Sequence, residues 1–356
     1  MNLKTFCSFS LFLLFTLYLS AEIPVGYYSN LDGKLTADLK TAAFNDIKTH
    51  ISLKYDDMWT YFPQTDFLPA DPTEIWDMYS NNIVLFTAHS SIDKEHCVPN
   101  SWWGGPTADN QYAYGDLMNL YPSNNSINRS KGNNPLSEVG TTTPAGNNGV
   151  SKSGASITVG YTGSGFEPAD MYKGDFARTY FYMATCYQNY TSWLSDTTGQ
   201  YEITAGGYPS LQPWAIPLLL KWNRMDPVSD KEIARNEIVY KLQNNRNPFI
   251  DHPELVEYIW GNMKDSIYHL NAATGITGPV SRKFTITPNP AKDRIKLNFD
   301  ENQGTVQYSI YSMTGSVVKS GNATTNTLNV SDLKTGVYMC EVDTPSGKLV
   351  SKLIIL

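Results

Sequence analysis

Cysteines and long apolar runs are scarce in this sequence. The first argues against a disulfide scaffold, and the second argues against a membrane-spanning protein. Only four cysteines occur in 356 residues, and Cys7 lies in the extreme N-terminal segment. The other three, Cys97, Cys186 and Cys340, are an odd number, which a fully bridged disulfide scaffold would not leave. A Cys97–Cys186 bridge is compatible with an exported protein, and burial as free thiols is the alternative. After residue 21 no run is apolar enough to predict a membrane helix.

The first 21 residues have the pattern of a signal peptide. Lys4 supplies the positive start, an apolar run extends from Phe9 to Leu19, and small residues precede Glu22. A run of this length is too short to span a bilayer comfortably. The sequence therefore predicts a protein that is carried to the periplasm and is then secreted or held at the cell surface.

Cationic residues are also scarce, and their distribution is uneven. Residues 22–280 contain 17 lysines and arginines against 28 aspartates and glutamates, a net charge of −11. Residues 281–356 contain 9 against 6, a net charge of +3. The acidic part argues against nucleic-acid binding through a broad basic surface, because phosphate neutralisation dominates such binding. A nucleic-acid substrate would need a local basic strip together with a divalent metal ion.

Helical and strand-like patterns divide the chain into two domains of the α+β class. Helices are predicted over 36–50, 175–187, 230–242 and 253–263, and residues 123–165 are predicted to be mostly loop. Residues 271–283 have the composition of a linker. Short alternating runs then predict a small antiparallel β-sandwich over 284–356. We therefore expect a signal peptide at 1–21, a larger domain at 22–270, the linker, and a C-terminal β domain that can be removed without unfolding the larger one.

The window from 93 to 140 holds a set of side chains that suits phosphodiester hydrolysis. Histidine is the side chain best suited to take a proton from water near neutral pH, and His96 is the candidate base. The side-chain oxygens of Glu95 and Asn128 suit a hard divalent cation. Three cationic side chains are candidates for stabilising the transition state: Arg129, Lys131 and Arg178. A lone histidine is more often structural, so the residue types alone leave both interpretations open.

Longer motifs in consistent order resemble the bacterial endonuclease I family. The central motifs are Glu95-His96-x-x-Pro99, Asp116-Leu117-x-Asn119-Leu120-x-Pro122-Ser123, and Asn128 with Lys131-Gly132-Asn133. Further matching segments are Gly174–Met183, Trp222 with Asp226-Pro227-Val228, Arg235, and Arg246–Phe249. The resemblance extends over roughly residues 25–262, which makes it far more specific than a three-residue pattern.

This resemblance implies a ββα-metal core, also called a His-Me finger, in which a β-hairpin carries the histidine and the following helix carries a metal-binding asparagine. It implies His96 as general base and a Mg²⁺ ion, with Ca²⁺ or Mn²⁺ as alternatives, bound by Glu95 and Asn128. The implied substrate is DNA or RNA, cut with little sequence preference, because phosphates carry no sequence information. The remaining expected site residues are Arg178 beside the catalytic pair, and Arg129, Lys131, Asn119 and Arg246 on the substrate. Two of them have structural alternatives: Arg178 can pair with Asp175 three residues earlier, and the Asn-Pro-Phe neighbours of Arg246 favour a packed turn.

Two features of these motifs set expectations for the site. Neighbouring strand residues point to opposite faces, so Glu95 and His96 can serve one site only if the strand twists or bulges there. Some relatives have histidine where this chain has Met118, and some have an arginine before the Asp116-Leu117 pair, whereas residues 97 to 116 contain none here. The alternative function is therefore a catalytically silent surface protein that binds nucleic acid or glycans.

The C-terminal domain resembles the sorting domain of the type IX secretion system. The matching segments are Thr287-Pro288-Asn289-Pro290, Ile310–Gly315, Leu333–Tyr338 and Lys352–Leu356. The resemblance implies that the secretion machinery is a partner of residues 284–356. A carbohydrate-binding β-sandwich is the structural alternative, but these residues contain no aromatic strip that would support it.

Overall fold

The computed structural model describes the chain from residue 23 to its C-terminus, with several gaps. The described residues are 23–68, 71–80, 84–105, 107, 111–140, 143–145, 150–190, 193, 201–270, 285–298, 306–312, 317–323, 326–344 and 347–356. The predicted signal peptide and the predicted linker lie outside them. None of the helices within these ranges has the length and apolar character needed to cross a membrane.

Helices and short antiparallel sheets make up the part of the chain before residue 270. The helices are α1 (Thr36–Ile47), α2 (Met58–Thr65), α3 (Gln111–Tyr114), α4 (Asn125–Lys131), α5 (Lys173–Cys186), α6 (Ala215–Met225), α7 (Asp230–Gln243), α8 (Pro248–Asp251) and α9 (Leu255–Ile259). The strands are β1 (Phe67–Leu68), β2 (Asp71–Ile75), β3 (Val84–Leu85), β4 (Ile92–His96), β5 (Leu120–Asn124), β6 (Thr143–Ala145), β7 (Ser151–Ala155) and β8 (Ser164–Glu167). They form the sheets β1-β2-β3, β4-β5 and β6-β7-β8.

Helix α5 lies at the centre of the larger domain. Every residue of α5 except Asp175 is buried, as expected for a helix surrounded by other elements. The Tyr180 hydroxyl donates to the carbonyl of Cys97 at 3.2 Å, and the Tyr182 hydroxyl donates to the Asp116 carboxylate at 2.7 Å. These two bonds attach α5 to both ends of the segment that connects β4 to β5.

Side-chain caps fix the starts of two helices that matter for the site. The Asn124 side chain accepts the backbone N–H groups of Ser126 and Ile127, and α4 begins immediately after it. Ser229 and Glu232 form a reciprocal capping box at the start of α7. Local sequence therefore determines where both helices begin.

Most of the predicted helices are confirmed, and the predicted loop region is interrupted by a helix and by strands that were not predicted. The predictions over 36–50, 175–187 and 230–242 correspond to α1, α5 and α7, whereas the one over 253–263 shortens to α9. Residues 123–165, predicted to be mostly loop, contain α4 and two strands of the β6-β7-β8 sheet. Composition misled here because pairing with neighbouring strands overrides weak local propensity.

The C-terminal strands form two antiparallel sheets around a separate apolar core. The strands are β9 (Thr285–Thr287), β10 (Arg294–Asn298), β11 (Val306–Ser312), β12 (Val317–Ala323), β13 (Thr327–Asn329), β14 (Gly336–Thr344) and β15 (Gly347–Ile355). Their order is β13-β10-β9 in one sheet and β12-β11-β14-β15 in the other. Ile286, Ile295, Ile310 and Leu353 are among the residues of this second core. The α+β class and the C-terminal sheets agree with the prediction from sequence.

The three cysteines after the N-terminal segment are buried free thiols. Cys97 and Cys186 are not bridged to each other, and Cys340 lies in the C-terminal core. The sequence left open a Cys97–Cys186 disulfide or buried free thiols, and the structure has buried free thiols.

Candidate active site

The hairpin of β4 and β5, followed directly by α4, carries the Glu95-His96 pair. The two strands are antiparallel, with Ile92 opposite Asn124 and His96 opposite Leu120. Beyond the last pair, the Cys97 N–H donates to the carbonyl of Asn119 at 2.8 Å. The Asn124 cap then turns the chain from β5 straight into α4. The order is therefore strand, long connection, strand and helix.

One face of β4 contacts α4 through two carboxylates. The Lys131 ammonium lies 2.8 Å from Glu95 Oε1, and Lys131 is fully buried. The Asn128 amide N–H donates to Asp93 Oδ2 at 3.1 Å. Asp93 and Glu95 are two residues apart, which places both on the same side of a strand.

The Glu95 carboxylate is a buried acid whose charge depends on Lys131. Burial raises the pKa of Glu95, and the Lys131 ammonium acts in the opposite direction. Without a nearby cation this carboxyl group would therefore tend to hold its proton. The Lys131 ammonium offsets part of the effect of burial and so favours the ionised form of Glu95.

The Asn128 side chain is oriented so that its oxygen can accept or coordinate. Its N–H group is directed to Asp93, and an amide has its carbonyl oxygen at the opposite end. Carboxylate and amide oxygens are the ligands that hard divalent cations prefer. In chemical type, the oxygen donors on this face, which also include Asp93, therefore suit a magnesium-like ion.

The other face of β4 carries His96 in an aromatic enclosure. His96 Nε2 lies 2.9 Å from the Tyr114 carbonyl oxygen, which accepts only, so Nε2 bears the proton. Nδ1 is then the basic nitrogen of the neutral ring. Burial lowers the pKa of His96 to about 4, and nearby Lys131 also lowers it. The imidazole is therefore neutral at neutral pH, with its lone pair on Nδ1.

Two aromatic residues that sequence reasoning missed hold the His96 ring. The Tyr55 ring stacks on it at 5.5 Å with an interplanar angle of 6°, and the Tyr114 ring lies 4.9 Å away. The Lys94 ammonium lies 3.9 Å from the centroid of the Tyr55 ring on β4's side of the stack. Nothing in the sequence spacing indicates Tyr55, whereas Asp93 was detectable because it is two residues before Glu95 on one strand.

The bulge expected between Glu95 and His96 is absent. The pairing runs without a register shift from Ile92 to His96, so alternation sends the two side chains to opposite faces. Glu95 and His96 can therefore act on one substrate only around the end of β4, not from one face of it. Lys131 connects the two sides, since it pairs with Glu95 and also influences His96.

Arg178 lies in a buried network and not beside the Glu95-His96 pair. Its guanidinium donates to both Glu232 carboxylate oxygens, at 2.6 and 2.9 Å, to the Asn223 amide oxygen and to the Asp226 carbonyl. The structure thus places the Arg178 guanidinium among acceptors of α6 and α7, and its catalytic role stays a prediction. The physical reason is that five buried N–H groups require acceptors, and α6 and α7 supply them.

Arg246 and Asn119 also have internal partners instead of the expected contact with substrate. Arg246 is fully buried and donates to Asp251 and Glu237. The Asn119 side chain is buried and bonds both backbone groups of Val98, at 2.8 and 3.1 Å. Asn119 therefore fixes the turn that follows His96, and both side chains are inaccessible to a polymer substrate.

Arg129 and Lys131 have contrasting environments on the same helix. Arg129 is exposed and makes one long contact, 3.5 Å, to the Asn125 amide oxygen one turn earlier. Lys131 is buried against Glu95. Of the expected substrate-binding residues, Arg129 is the one whose cation lies on the surface next to the candidate metal ligands.

A second group of possible metal ligands, which the motifs did not indicate, lies beneath the connection between β4 and β5. Ligand atoms of His50, Asp116 and Cys186 lie within 4.8 Å of one another and are buried. The Tyr187 hydroxyl contacts His50 Nε2 at 2.9 Å and Asp116 Oδ2 at 2.5 Å. The Tyr182 hydroxyl also donates to Asp116. We interpret this group as a hydrogen-bonded core network, because its acceptors are already occupied by protein donors.

Comparisons with known proteins agree with the architecture of both domains. Residues 36–254 match the Endonuclease I family, and residues 285–356 match the secretion system C-terminal sorting domain. An extracellular ribonuclease of Bacillus amyloliquefaciens is 34% identical over 250 residues, which are 66% of this chain and 78% of the relative.

Two further relatives carry similar names. An extracellular ribonuclease of Bacillus subtilis (strain 168) is 33% identical over 249 residues, 66% of this chain and 78% of the relative. An Endonuclease-1 of Buchnera aphidicola is 27% identical over 135 residues, 38% of this chain and 45% of the relative. The match to the sorting domain shows that the protein is secreted or held at the cell surface. The chain belongs to the endonuclease I family of nucleases and ends in a secretion sorting domain.

Proposed function

We propose that the protein is a secreted, metal-dependent endonuclease that hydrolyses phosphodiester bonds of DNA, RNA or both with little sequence preference. The observation that carries the proposal is the environment of His96, whose proton-bearing Nε2 is held by the Tyr114 carbonyl while Nδ1 is left basic. The strand–strand–helix order and the oxygen donors on α4's side support a ββα-metal core. The relatives named ribonuclease and endonuclease support a nucleic-acid substrate.

In this proposal His96 is the general base. Nδ1 takes a proton from a water molecule, whose oxygen forms the new bond to phosphorus as the bond to the leaving oxygen breaks. The Tyr114 carbonyl fixes the tautomer, and the stacked Tyr55 ring fixes the orientation of the imidazole. Burial of the ring keeps it unprotonated at neutral pH, which is the state that a base requires.

Glu95 and Asn128 would hold a Mg²⁺ ion, or Ca²⁺ or Mn²⁺ in its place, with Asp93 as a further oxygen donor. When bound, such an ion neutralises charge on the phosphate and on the leaving oxygen. Lys131 positions the Glu95 carboxylate and keeps it charged. Arg129, exposed next to Asn128 on α4, would contact a neighbouring phosphate.

Residues 284–356 would direct export through the secretion machinery and contribute no side chain to cleavage. The linker at 271–283 and the separate C-terminal core support this division. The direct test of the whole proposal is incubation of the mature protein with plasmid DNA and with RNA, each with Mg²⁺ and with a chelator. We expect metal-dependent cleavage of at least one substrate; binding without cleavage would instead favour the silent surface protein.

Metal binding by Glu95 and Asn128 predicts a shift in the metal titration. Glu95→Ala and Asn128→Ala should each raise the Mg²⁺ concentration for half-maximal activity by at least about tenfold, because each removes an oxygen ligand. Ser126→Ala is the matched control, since this exposed α4 residue uses only its backbone N–H in the cap. An unchanged titration in both ligand variants would mean that the ion binds elsewhere.

A phosphate contact by Arg129 predicts a change in salt dependence. Arg129→Ala should lower the slope of log affinity against log salt concentration by about one and weaken DNA and RNA equally, because a phosphate contact carries no sequence information. Filter binding with chelator present measures this without cleavage. Arg224→Ala, which removes another exposed arginine, is the control. Equal slopes for the Arg129 variant and the control would remove Arg129 from the proposed interface.

A further inference from the structure

The last strand of the chain is buried on both of its faces. Residues Leu353 to Leu356 form a continuous apolar run, which is unlike the alternation of a strand with one face in water. Leu353 and Ile355 belong to the C-terminal core. Ile354, on the opposite face of the same strand, belongs instead to the core of the nuclease domain, against which Leu356 also packs.

Lys352 lies on the same face as Ile354 and extends the contact with a buried charge. Its ammonium donates to the Met171 carbonyl at 3.0 Å and to the Asp226 carboxylate. Met171 lies in the turn just before α5, and Asp226 follows α6. Val337, paired with Ile354 across β14 and β15, packs against the same nuclease core.

Lys352 completes the charge balance of a buried cluster in the nuclease domain. The cluster has four carboxylates, those of Asp66, Asp175, Asp226 and Glu232. The nuclease domain supplies three cations to it, Arg178, Lys231 and Arg235. Lys352 is the fourth cation and comes from the other domain.

Asp226 is the carboxylate that depends on Lys352. Lys352 contacts one carboxylate oxygen of Asp226, and the other accepts the Gly174 N–H at 2.8 Å. Arg178 donates to Glu232 and to the backbone carbonyl of Asp226. Burial raises the pKa of Asp226, and Lys352 is the strongest influence in the opposite direction. Since Gly174 lies in the first turn of α5, the state of Asp226 bears on how the central helix is anchored.

We infer that the nuclease domain has a docking surface for the C-terminal domain, formed by Met171, Asp226 and the adjoining apolar residues, and that its occupant is the Lys352-Ile354-Leu356 face of the final strand. The sorting domain is thus separable in sequence but not energetically silent. Loss of the Lys352 ammonium alone, with the two domains still in contact, would leave the Asp226 carboxylate buried without its cation.

Tryptophan fluorescence tests this docking in the full mature chain. All eight tryptophans precede residue 261, so their unfolding transition reports on the nuclease domain alone. Lys352→Met, a change in the other domain, should lower the midpoint of that transition by about 5–10 °C, because it strands the charge of Asp226. Lys296→Met, at an exposed lysine of the same C-terminal domain, should leave it unchanged. Equal midpoints for both variants would overturn the inference.

A second substitution, Asp226→Asn, should shift the melting midpoint in opposite directions in two backgrounds. General destabilisation of the C-terminal domain would not produce opposite shifts. Asp226→Asn in the wild-type chain should lower the midpoint, because Lys352 loses its partner. In the Lys352→Met chain the same substitution should raise the midpoint, because it removes an unpaired buried charge while keeping an oxygen for the Gly174 N–H. If Asp226→Asn lowers the midpoint equally in both backgrounds, the two residues are not coupled and the docking surface is not as inferred.

Discussion

Replacing His96 by alanine should reduce the rate of cleavage by about 10²–10⁴-fold, the contribution typical of a positioned general base. The expected loss follows from the geometry at Nδ1, which the Tyr114 carbonyl leaves as the basic nitrogen. No other described residue takes a proton at this place, since Glu95 is paired with Lys131 on the opposite face of β4. Initial rates on plasmid DNA and on RNA at saturating Mg²⁺ measure the effect.

The interpretation requires that the His96 variant stays folded and still binds metal. Removing a buried ring from between Tyr55 and Trp103 leaves a cavity, so the fluorescence melt must be recorded beside the rate. His269→Ala is the control, because that side chain is 57% exposed. Cleavage at the wild-type rate by a folded His96→Ala protein would end the assignment of His96 as base.

Helices α1, α5 and α7 were predicted close to their observed bounds, because their patterns are readable within one stretch of sequence. Helix α7 begins where Ser229 and Glu232 form a capping box, and such signals need no knowledge of the rest of the chain. Residues 151–167 failed for the opposite reason. Their glycine- and serine-rich strands are stabilised by pairing, as where Ser153 of β7 lies opposite Phe166 of β8.

The residues of the candidate site also differ in whether the sequence could predict them. Glu95, His96 and Asn128 were accessible because they lie in contiguous motifs. The stacking of Tyr55 on His96 could not be predicted, and neither could the pairing of Lys131 with Glu95. Both depend on contacts between residues far apart in the sequence. The same limit applies to Arg178, whose motif gives its position in the chain but not its partners.

Burial of cations bears on how a protein of acidic composition could bind nucleic acid. Seven lysines and arginines of the nuclease domain are buried: Lys40, Lys131, Lys173, Arg178, Lys231, Arg235 and Arg246. They are therefore largely unavailable to neutralise phosphates, although nine carboxylates of the same domain are buried as well. A nuclease with this surface depends on a bound divalent ion and a few exposed cations such as Arg129, which is why we expect strong inhibition by chelator.

Arg178 should prove structural rather than catalytic. Arg178→Met leaves Glu232 buried without its bidentate partner, and breaking such a pair costs about 3–5 kcal/mol of the free energy of unfolding. The cleavage rate per folded molecule should stay near that of the wild type, because the guanidinium contacts α6 and α7 and not the His96 enclosure. Denaturant melts and rates measured well below the melting temperature separate the two effects.

Arg224 provides a matched control for this prediction. It forms the same kind of bidentate pair, with Glu257 at 2.6 and 2.7 Å, but its side chain is 47% exposed. Arg224→Met should therefore cost no more than about 1 kcal/mol, since water already solvates that pair. The contrast between the two variants isolates burial as the cause of the larger loss. A folded Arg178→Met protein with wild-type stability and a much reduced rate would return Arg178 to the catalytic site.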